Sequence, residues 1–194
     1  MDIRFATVND APYLAEIYSQ YINTPITMEF TAPTAEQFAQ KIVDVQKNYP
    51  FLVCLKAGVI VGYAYAHRYR QREGFEYDVE SSVYVDEKFM GRKAGSALYT
   101  ALLDILKLQN VYKVYAFVIR PNLMSESMHI SRGFVKIAVM EKTGYKLDAW
   151  HDMMVFEKSL NYTFKNPETF IPVGELSQIE IEDICKRAAS KINL

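Results

Sequence analysis

The sequence predicts an α+β domain in which helices flank a mixed central sheet, and two patterns carry this prediction. β-Branched and aromatic runs at residues 51–56 and 59–68 are separated by Ala57-Gly58, which indicates a β-hairpin. An apolar run ending at Val85 leads through a glycine-bearing turn into a helical pattern, and another apolar run follows at residues 112–119. A helix between two such strands makes them parallel neighbours in one sheet, joined by a right-handed crossover.

Composition and charge exclude several classes of protein. Half of the 194 residues are hydrophobic and 13% are aromatic, which is enough apolar surface for one substantial core. The formal net charge of −1 gives no extended field for nucleic acid or an anionic membrane, so an anion site must be local. Cys54 and Cys185 have no metal-ligand or redox spacing, so we expect reduced thiols and no metal. Because no segment has transmembrane length or the form of a secretory signal, we expect a cytoplasmic protein.

The remaining elements follow from capping and periodicity. A strand at residues 3–6 precedes a helix that begins at Asn9-Asp10-Ala11-Pro12, and a second helix begins at the capping-box sequence Thr34-Ala35-Glu36-Gln37. Beyond the hairpin we predict a strand at 77–85, a helix from Ala94, a strand at 112–119, a helix at 125–132, strands at 134–142 and 152–158, and a loop at 143–150.

The domain is predicted to span residues 1–160, and residues 161–194 are predicted to be a C-terminal extension. Residues 162–172 have no regular pattern. Residues 175–192 carry apolar side chains at roughly helical spacing, so we expect an extra helix docked on the domain or on a second subunit.

The junction at residues 80–99 has the pattern of a site for anionic oxygens. The first amides of a helix have no internal partners and carry partial positive charge, so a turn that aims them outward binds phosphate without a side chain. Gly91 and Gly95 allow close backbone approach, and Arg92 and Lys93 add positive charge. We call this glycine-bearing turn, residues 90–95, the cradle. Taken alone, the cradle fits nucleotides, sulfate or coenzymes, and a glycine turn without a ligand is the alternative.

The order of the motifs resembles the GCN5-related N-acetyltransferase (GNAT) superfamily, and more closely its phosphinothricin and methionine sulfone acetyltransferase branch. The resemblance covers about residues 3–160 and rests on G-Y-A-Y-A at 62–66, V-E-S-S-V-Y-V at 79–85, G-S-A-L-Y at 95–99, N-x-x-S-x-x-x-H-x-x-x-G-F at 122–134 and W-H-D at 150–152. It implies the acyl-CoA N-acyltransferase fold, with acetyl-CoA as the cosubstrate. The superfamily cradle reads Gln/Arg-x-x-Gly-x-Gly/Ala, but Met90 and Lys93 occupy its first and fourth positions here. We expect Lys93 to adopt an ordinary negative φ.

The resemblance implies that a neutral amine attacks the thioester directly. It assigns Glu80 as the base, acting directly or through water, and the amide of Val85, where the family's strands splay, as donor to the thioester oxygen. It places His129 on the coenzyme side, where many members have a tyrosine that protonates the thiolate, and Asn122 beside the pantetheine arm. The alternatives are an arginine-paired carboxylate for Glu80, a structural helical histidine for His129 and a turn-forming asparagine for Asn122. The other implied coenzyme contacts are Val83, Gly91, Arg92, Lys93, Ala94, Gly95, Ser96 and Ser125.

For the acceptor, Arg72 with Phe75 and Tyr77 matches a loop pattern of the branch. A guanidinium suits a bidentate grip on a carboxylate or phosphinate, and a solvated loop arginine is the alternative. Phe30 and Tyr63 are expected to line the pocket, with simple packing as the alternative for Phe30. Trp150 and Asp152 also match the branch and are expected to close the pocket, either within one subunit or across a dimer interface, with fixation of the last strands as the alternative.

These residues together predict an N-acetyltransferase that acts on a small amino acid analogue such as phosphinothricin, methionine sulfone or methionine sulfoximine. We expect a homodimer with no nucleic-acid or membrane partner. Two alternatives stay open. One is acetylation of a peptide or protein amino terminus, and the other is a non-catalytic acyl-CoA-binding module, which the changes at Met90 and Lys93 favour and the presence of Glu80 and His129 disfavours.

Overall fold

The structure, a computed structural model, describes residues 1–162 and 166–192. Its centre is one seven-stranded sheet with the order β1-β2-β3-β4-β5-β7-β6. The strands are β1 (Asp2–Phe5), β2 (Phe51–Lys56), β3 (Val59–Arg68), β4 (Asp78–Val85), β5 (Lys113–Ile119), β6 (Val135–Lys146) and β7 (Ala149–Ser159). Among these described strands, only β4 and β5 pair in parallel, and the other neighbours are antiparallel. The predicted mixed sheet, hairpin and parallel pair are confirmed.

Five helices cover the two faces of the sheet in the described residues. They are α1 (Ala11–Ser19), α2 (Ala35–Gln46), α3 (Ala94–Leu108), α4 (Leu123–Ser131) and α5 (Gln178–Ser190). The capping box at α2 is present, since the Thr34 hydroxyl accepts from the Gln37 N–H at 3.3 Å and the Gln37 Oε1 accepts from the Thr34 N–H at 2.8 Å. Aromatic contacts of β3 and β4 place α1 and α2 on one face, whereas α3 packs on the other.

The connection between β6 and β7 is a correction to the sequence-based interpretation. Residues 143–150 were expected to form a loop, but strand pairing extends to Lys146 and resumes at Ala149. The two turn residues, Leu147 and Asp148, both have positive φ, 53° and 57°. Two-residue hairpins usually place Asn or Gly at such positions, so Leu-Asp carries no recognisable turn pattern. The Lys146 side chain is buried and donates to the carbonyl oxygens of Thr24 and Thr27 at 2.9 and 2.6 Å.

The helix α5 begins after the N-cap residue Ser177 and packs against α3 and β1 of the same chain. Its buried side chains belong to the main hydrophobic core. The boundary at residue 160 stays a prediction. Residues 163–165, within the segment predicted to be irregular, and residues 193–194, at the end of the predicted extension, lie outside the described residues. None of the described helices has the length and apolar character needed to cross a bilayer.

Candidate active site

The parallel strands β4 and β5 separate after a short paired segment. Pairing ends at Glu80, which lies opposite Tyr115. Beyond this point β4 continues to Val85 and β5 to Ile119 with no further pairing between them. A cavity of about 420 Å³ occupies the opening. The splay that the sequence could not show is therefore present at the place that the resemblance implied.

The cavity passes through the sheet. Side chains alternate along β4, so Val83 and Val85 face α3 whereas Tyr84 faces α1. A Cβ on Gly95 of α3 would lie 3.1 Å from Cγ2 of Val85, and the Tyr84 ring centre lies 5.5 Å from that of Tyr21 in the segment after α1. All five residues line the same cavity. One reactant can thus approach from the α3 face and a second from the α1 face.

A buried hydrogen-bonded pair holds the strands together where pairing ends. The Ser81 hydroxyl donates to the Tyr115 carbonyl oxygen at 3.2 Å, and the Ser81 and Tyr99 oxygens are 2.5 Å apart. Because the hydrogen of Ser81 is used by the carbonyl, Tyr99 is the donor in the second bond. Burial raises the pKa of Tyr99, which keeps this phenol in its donor form.

The Val85 peptide directs an N–H group into the opening. The Asp86 N–H donates to the Val61 carbonyl oxygen in β3 at 2.9 Å, so strand alternation turns the Val85 N–H the other way. The carbonyl oxygen of Val85 already accepts a hydrogen bond from the Tyr21 hydroxyl. Burial raises the pKa of Tyr21 to about 12, so this donor stays protonated. The N–H of Val85 is left available for an oxygen atom lodged between the strands.

The helix α3 begins at the wall of the cavity and forms the anion cradle. Its N-cap residue, Lys93, makes no side-chain bond to the helix, and the first described intrahelical bond runs from the Ala97 N–H to the Lys93 carbonyl oxygen at 3.0 Å. The amides of Ala94, Gly95 and Ser96 therefore have no acceptor within the helix. These three residues line the cavity, so their partial positive charge faces it.

The backbone at Lys93 contradicts our expectation of a negative φ. Its φ is +63° and its ψ is 2°, which lies in the left-handed region that favours glycine. This conformation costs a non-glycine residue roughly 1–2 kcal/mol. Lys93 and Gly91 line the cavity, but Arg92 does not, because its guanidinium lies over the Phe89 ring at 5.6 Å. The prediction that Arg92 contacts the coenzyme therefore finds no support in this geometry.

Asn122 and Ser125 line the cavity at the start of α4. The Asn122 Oδ1 accepts from the Ser125 N–H at 3.1 Å, so this asparagine caps the helix. This local backbone role is closer to the turn-forming alternative than to a role confined to the coenzyme, and it leaves the Nδ2 group of Asn122 without an acceptor among the described residues. Capping and a bond to a bound molecule are therefore compatible.

His129 lines the cavity but is only 3% exposed and packs among Tyr99, Phe134 and Phe156. Its Nδ1 lies 2.7 Å from the Ser125 carbonyl oxygen, which only accepts, so Nδ1 carries the hydrogen. Burial lowers the pKa of His129 and favours the neutral ring, whose Nε2 has no hydrogen to give. The geometry supports the structural alternative over the role of proton donor to the thiolate.

Glu80 lines the cavity on the same face as Tyr84. Among the described residues, its carboxylate is paired with His67, whose Nε2 lies 3.9 Å from Oε1 of Glu80. Within the described residues no arginine forms an ion pair with Glu80, so the alternative of an arginine-paired strand carboxylate is wrong. A carboxylate free of strong partners at the wall of the opening suits proton transfer.

The family is decided by sequence comparison. Residues 3–155 match the family described as "Acetyltransferase (GNAT) domain". The chain belongs to the GNAT acetyltransferases. Its GNAT domain and its similarity to named acetyltransferases identify it as an acetyl-CoA-dependent N-acetyltransferase.

Relatives of this GNAT chain match it over most of their length. It is 32% identical to a phosphinothricin N-acetyltransferase of Streptomyces viridochromogenes over 92% of this chain and 96% of the relative. It is 31% identical to an L-methionine sulfoximine/L-methionine sulfone acetyltransferase of Salmonella typhimurium over 83% of this chain and 95% of the relative. A solved phosphinothricin acetyltransferase of Sinorhizobium meliloti, in complex with acetyl-CoA, superposes with a TM-score of 0.82 at 28% identity, covering 86% of this chain and 92% of that one.

The residues predicted to bind the acceptor lie outside the GNAT cavity. Tyr63 is fully buried in the aromatic core between Phe51 and Tyr84, so its assignment to the pocket surface is corrected to a packing role. Phe30 is 74% and Trp150 60% exposed. The ring contacts of the others are with residues that do not line the cavity: Phe75 with Tyr69, Tyr77 with the buried Tyr112, and Trp150 with Tyr145. Arg72 is exposed at the end of the loop that precedes a short 3-10 helix, Glu73–Phe75.

Several residues that line the GNAT cavity were not assigned from the sequence. They include Tyr21, Ile26, Ser81, Phe117, Met124 and Met128. Ser81 was detectable as a polar residue within the apolar strand motif V-E-S-S-V-Y-V. Tyr21 had no local signal, because its role depends on a contact with Val85, 64 residues away in the chain.

Two substitutions separate the backbone and the charge of Lys93. We predict that Lys93→Gly unfolds at higher denaturant concentration than Lys93→Ala, since glycine accepts a φ of +63° without strain that alanine retains. Both variants lose the ammonium group, so both should weaken coenzyme A binding by a similar factor in calorimetry. Equal stability of the two variants would contradict the strained backbone, and unchanged affinity in both would contradict a role for the charge.

Proposed function

We propose that this enzyme transfers the acetyl group of acetyl-CoA to the primary amine of a small amino acid analogue of the phosphinothricin, methionine sulfone or methionine sulfoximine type. One observation carries the mechanism: the opening between β4 and β5 has the α3 amides on one face and the Glu80 carboxylate on the other. The names of the Streptomyces and Salmonella relatives support the acceptor class.

On the α3 face, the coenzyme is held mainly by the protein backbone. The amides of residues 94–96 bind the pyrophosphate, and the Lys93 ammonium adds a point charge. The Nδ2 group of Asn122 donates to the pantetheine arm, and the thioester enters the opening beside Val85. The described contacts support this arrangement because each of these donors lacks a protein acceptor and lines the cavity.

On the α1 face, Glu80 accepts a proton from the ammonium group of the acceptor, directly or through water. The freed amine attacks the thioester carbon, and the Val85 N–H stabilises the negative charge that develops on the carbonyl oxygen. The carbon–sulfur bond then breaks, and the thiolate departs toward the positive end of α3. His129 has no proton-transfer role in this mechanism and packs the floor of the site.

Replacing Glu80 tests the proposal that this carboxylate is the base in acetyl transfer. We predict that Glu80→Gln lowers kcat about 10²- to 10⁴-fold, because the amine loses its base, while affinity for coenzyme A is unchanged. Thiol release is measured with acetyl-CoA and a panel of amino acids, their sulfone, sulfoximine and phosphinate analogues, and short peptides with free amino termini. Glu76→Gln, an exposed carboxylate outside the cavity, is the matched control.

Two outcomes would favour the alternatives. If the unmodified protein binds coenzyme A but no amine in the panel causes thiol release, it is a binding module. If it turns over peptides in preference to amino acid analogues, the substrate is a peptide or protein amino terminus.

Arg72 is proposed to grip the acceptor's carboxylate or phosphinate. Its guanidinium forms no hydrogen bond or ion pair with the described residues, so the charge is free for a ligand. We predict that Arg72→Ala raises KM roughly 10- to 100-fold for acceptors with a free carboxylate, and much less for their amides. Arg70→Ala is the control, since the Arg70 side chain is held over Tyr69 at 4.9 Å. An unchanged KM for carboxylate-bearing acceptors would remove Arg72 from the site.

We also propose a homodimer that covers the outer edge of β6. This edge strand has no partner on one side in the described sheet, and its side chains are almost all exposed. Val135, Ile137 and Val139 are 64%, 48% and 41% exposed, and Leu123 of the adjacent α4 is 77% exposed. Apolar groups beside an unpaired strand edge are characteristic of protein interfaces.

Light scattering after size exclusion tests the dimer. We predict that Ile137→Glu gives a monomer, whereas Ile179→Glu on α5, a site 75% exposed and away from β6, stays dimeric. A monomeric unmodified protein would refute the proposal.

The cytoplasmic location stays a prediction. Cys54 and Cys185 are both unpaired and buried, which is consistent with a reducing compartment. Fractionation of cells that produce the protein would test it.

A further inference from the structure

We propose that His67 is a proton-relay residue that carries the proton from Glu80 to solvent, an inference that rests on the proposed function. His67 and Glu80 lie directly opposite each other in the antiparallel pair of β3 and β4, so their side chains share one face of the sheet. The Nε2 of His67 is 3.9 Å from Oε1 of Glu80. This face is the one from which the amine approaches.

The second ring nitrogen of His67 fixes the direction of proton flow. Nδ1 lies 3.0 Å from the carbonyl oxygen of Arg68. A carbonyl oxygen only accepts hydrogen bonds, so Nδ1 carries the hydrogen, and Nε2 of the neutral ring holds a lone pair. That lone pair faces the Glu80 carboxylate. It is therefore placed to receive a proton that Glu80 has taken from the amine.

Solvent lies at the other end of the relay. The side chain of His67 is 41% exposed and that of Glu80 is 31% exposed, so the proton moves outward along the pair. Lys41 of α2 is bound to the Tyr65 hydroxyl at 2.6 Å and does not compete for the carboxylate. Six other titratable groups lie on this face near the pair: Tyr65, Tyr69, Asp78, Lys113, Tyr115 and Glu157. Within the described residues, none of these six forms an ion pair with His67 or Glu80.

The reaction releases a proton that must reach solvent, and the relay provides the route. An N–H bond of the ammonium breaks and the proton passes to the Glu80 carboxylate, then to Nε2 of His67, and the imidazolium releases it to water. The amine lone pair forms the new C–N bond, the C–S bond breaks, and the nitrogen loses its second proton as the amide forms. This second proton is balanced by the one that the thiolate takes from water, so each turnover releases one net proton. The 3.9 Å separation is an ion-pair distance that must shorten for transfer, as catalytic hydrogen bonds do when substrate binds.

The test is the pH dependence of kcat/KM for methionine sulfone in the unmodified enzyme and in His67→Gln. We expect His67→Gln to lower kcat/KM about tenfold or more near neutral pH, because Glu80 loses its proton acceptor. The shape of the pH profile should change as well, because proton removal from Glu80 no longer passes through the imidazole. Added imidazole should restore activity in His67→Gln in proportion to its concentration, while coenzyme A affinity stays unchanged.

His151→Gln is the matched control, because His151 also bonds a backbone carbonyl through one ring nitrogen, Nε2 to the Lys146 oxygen at 2.9 Å, but is not paired with Glu80 as His67 is. It should keep the unmodified profile and show no imidazole rescue. A His67→Gln profile that superimposes on that of the unmodified enzyme, with no imidazole dependence, overturns the relay. If Glu80→Gln still abolishes turnover in that case, the proposed function stands without His67. If the unmodified enzyme has no activity, the proposed function itself fails.

Discussion

The separation of β4 from β5 beyond Glu80 is the constraint on which the rest of the site depends. Strands that part inside a sheet leave backbone N–H and C=O groups without partners, which is unfavourable where water is excluded. Two contacts limit this penalty. Ser81 and Tyr99 join the strands at the point where pairing ends, and Tyr21 satisfies the Val85 carbonyl oxygen. The Val85 N–H remains available in the opening, and a donor at this position is what the carbonyl oxygen of a thioester requires.

The two faces of the sheet differ in charge around this opening. Unpaired amides at the start of α3 and the nearby Lys93 make the first face attractive to phosphates. On the second face Glu80 presents a carboxylate that attracts an ammonium group. Because each reactant is drawn to a different face, the two meet only where the sheet is open. The geometry thereby favours direct transfer in a ternary complex over a covalent intermediate on the protein.

The sequence predicted those features that local rules determine. The capping box at Thr34, the hairpin at Ala57-Gly58 and the start of α3 at Ala94 all follow from neighbouring residues, and each is present. Left-handed conformations at Lys93 and in the turn after β6 were missed, because residues such as lysine and leucine do not prefer them and give no local signal of them. The residues predicted to bind the acceptor show a further limit of prediction from sequence. A motif match fixed the position of Tyr63 in the chain but not whether its ring reaches the cavity.

The two glycine positions of the superfamily cradle have different physical roles here, and this explains which of them changed. At position 93 the requirement is conformational: the amides that follow are aimed by φ and ψ, so a lysine held at φ +63° orients them as a glycine would. At Gly95 the constraint is steric, since a Cβ would lie 3.1 Å from Cγ2 of Val85 and that side chain would have to shift by a few tenths of an ångström. A strained backbone costs roughly 1–2 kcal/mol, and in the proposed coenzyme complex the charge of Lys93 near the phosphates offsets it. No side chain at position 95 brings a comparable gain.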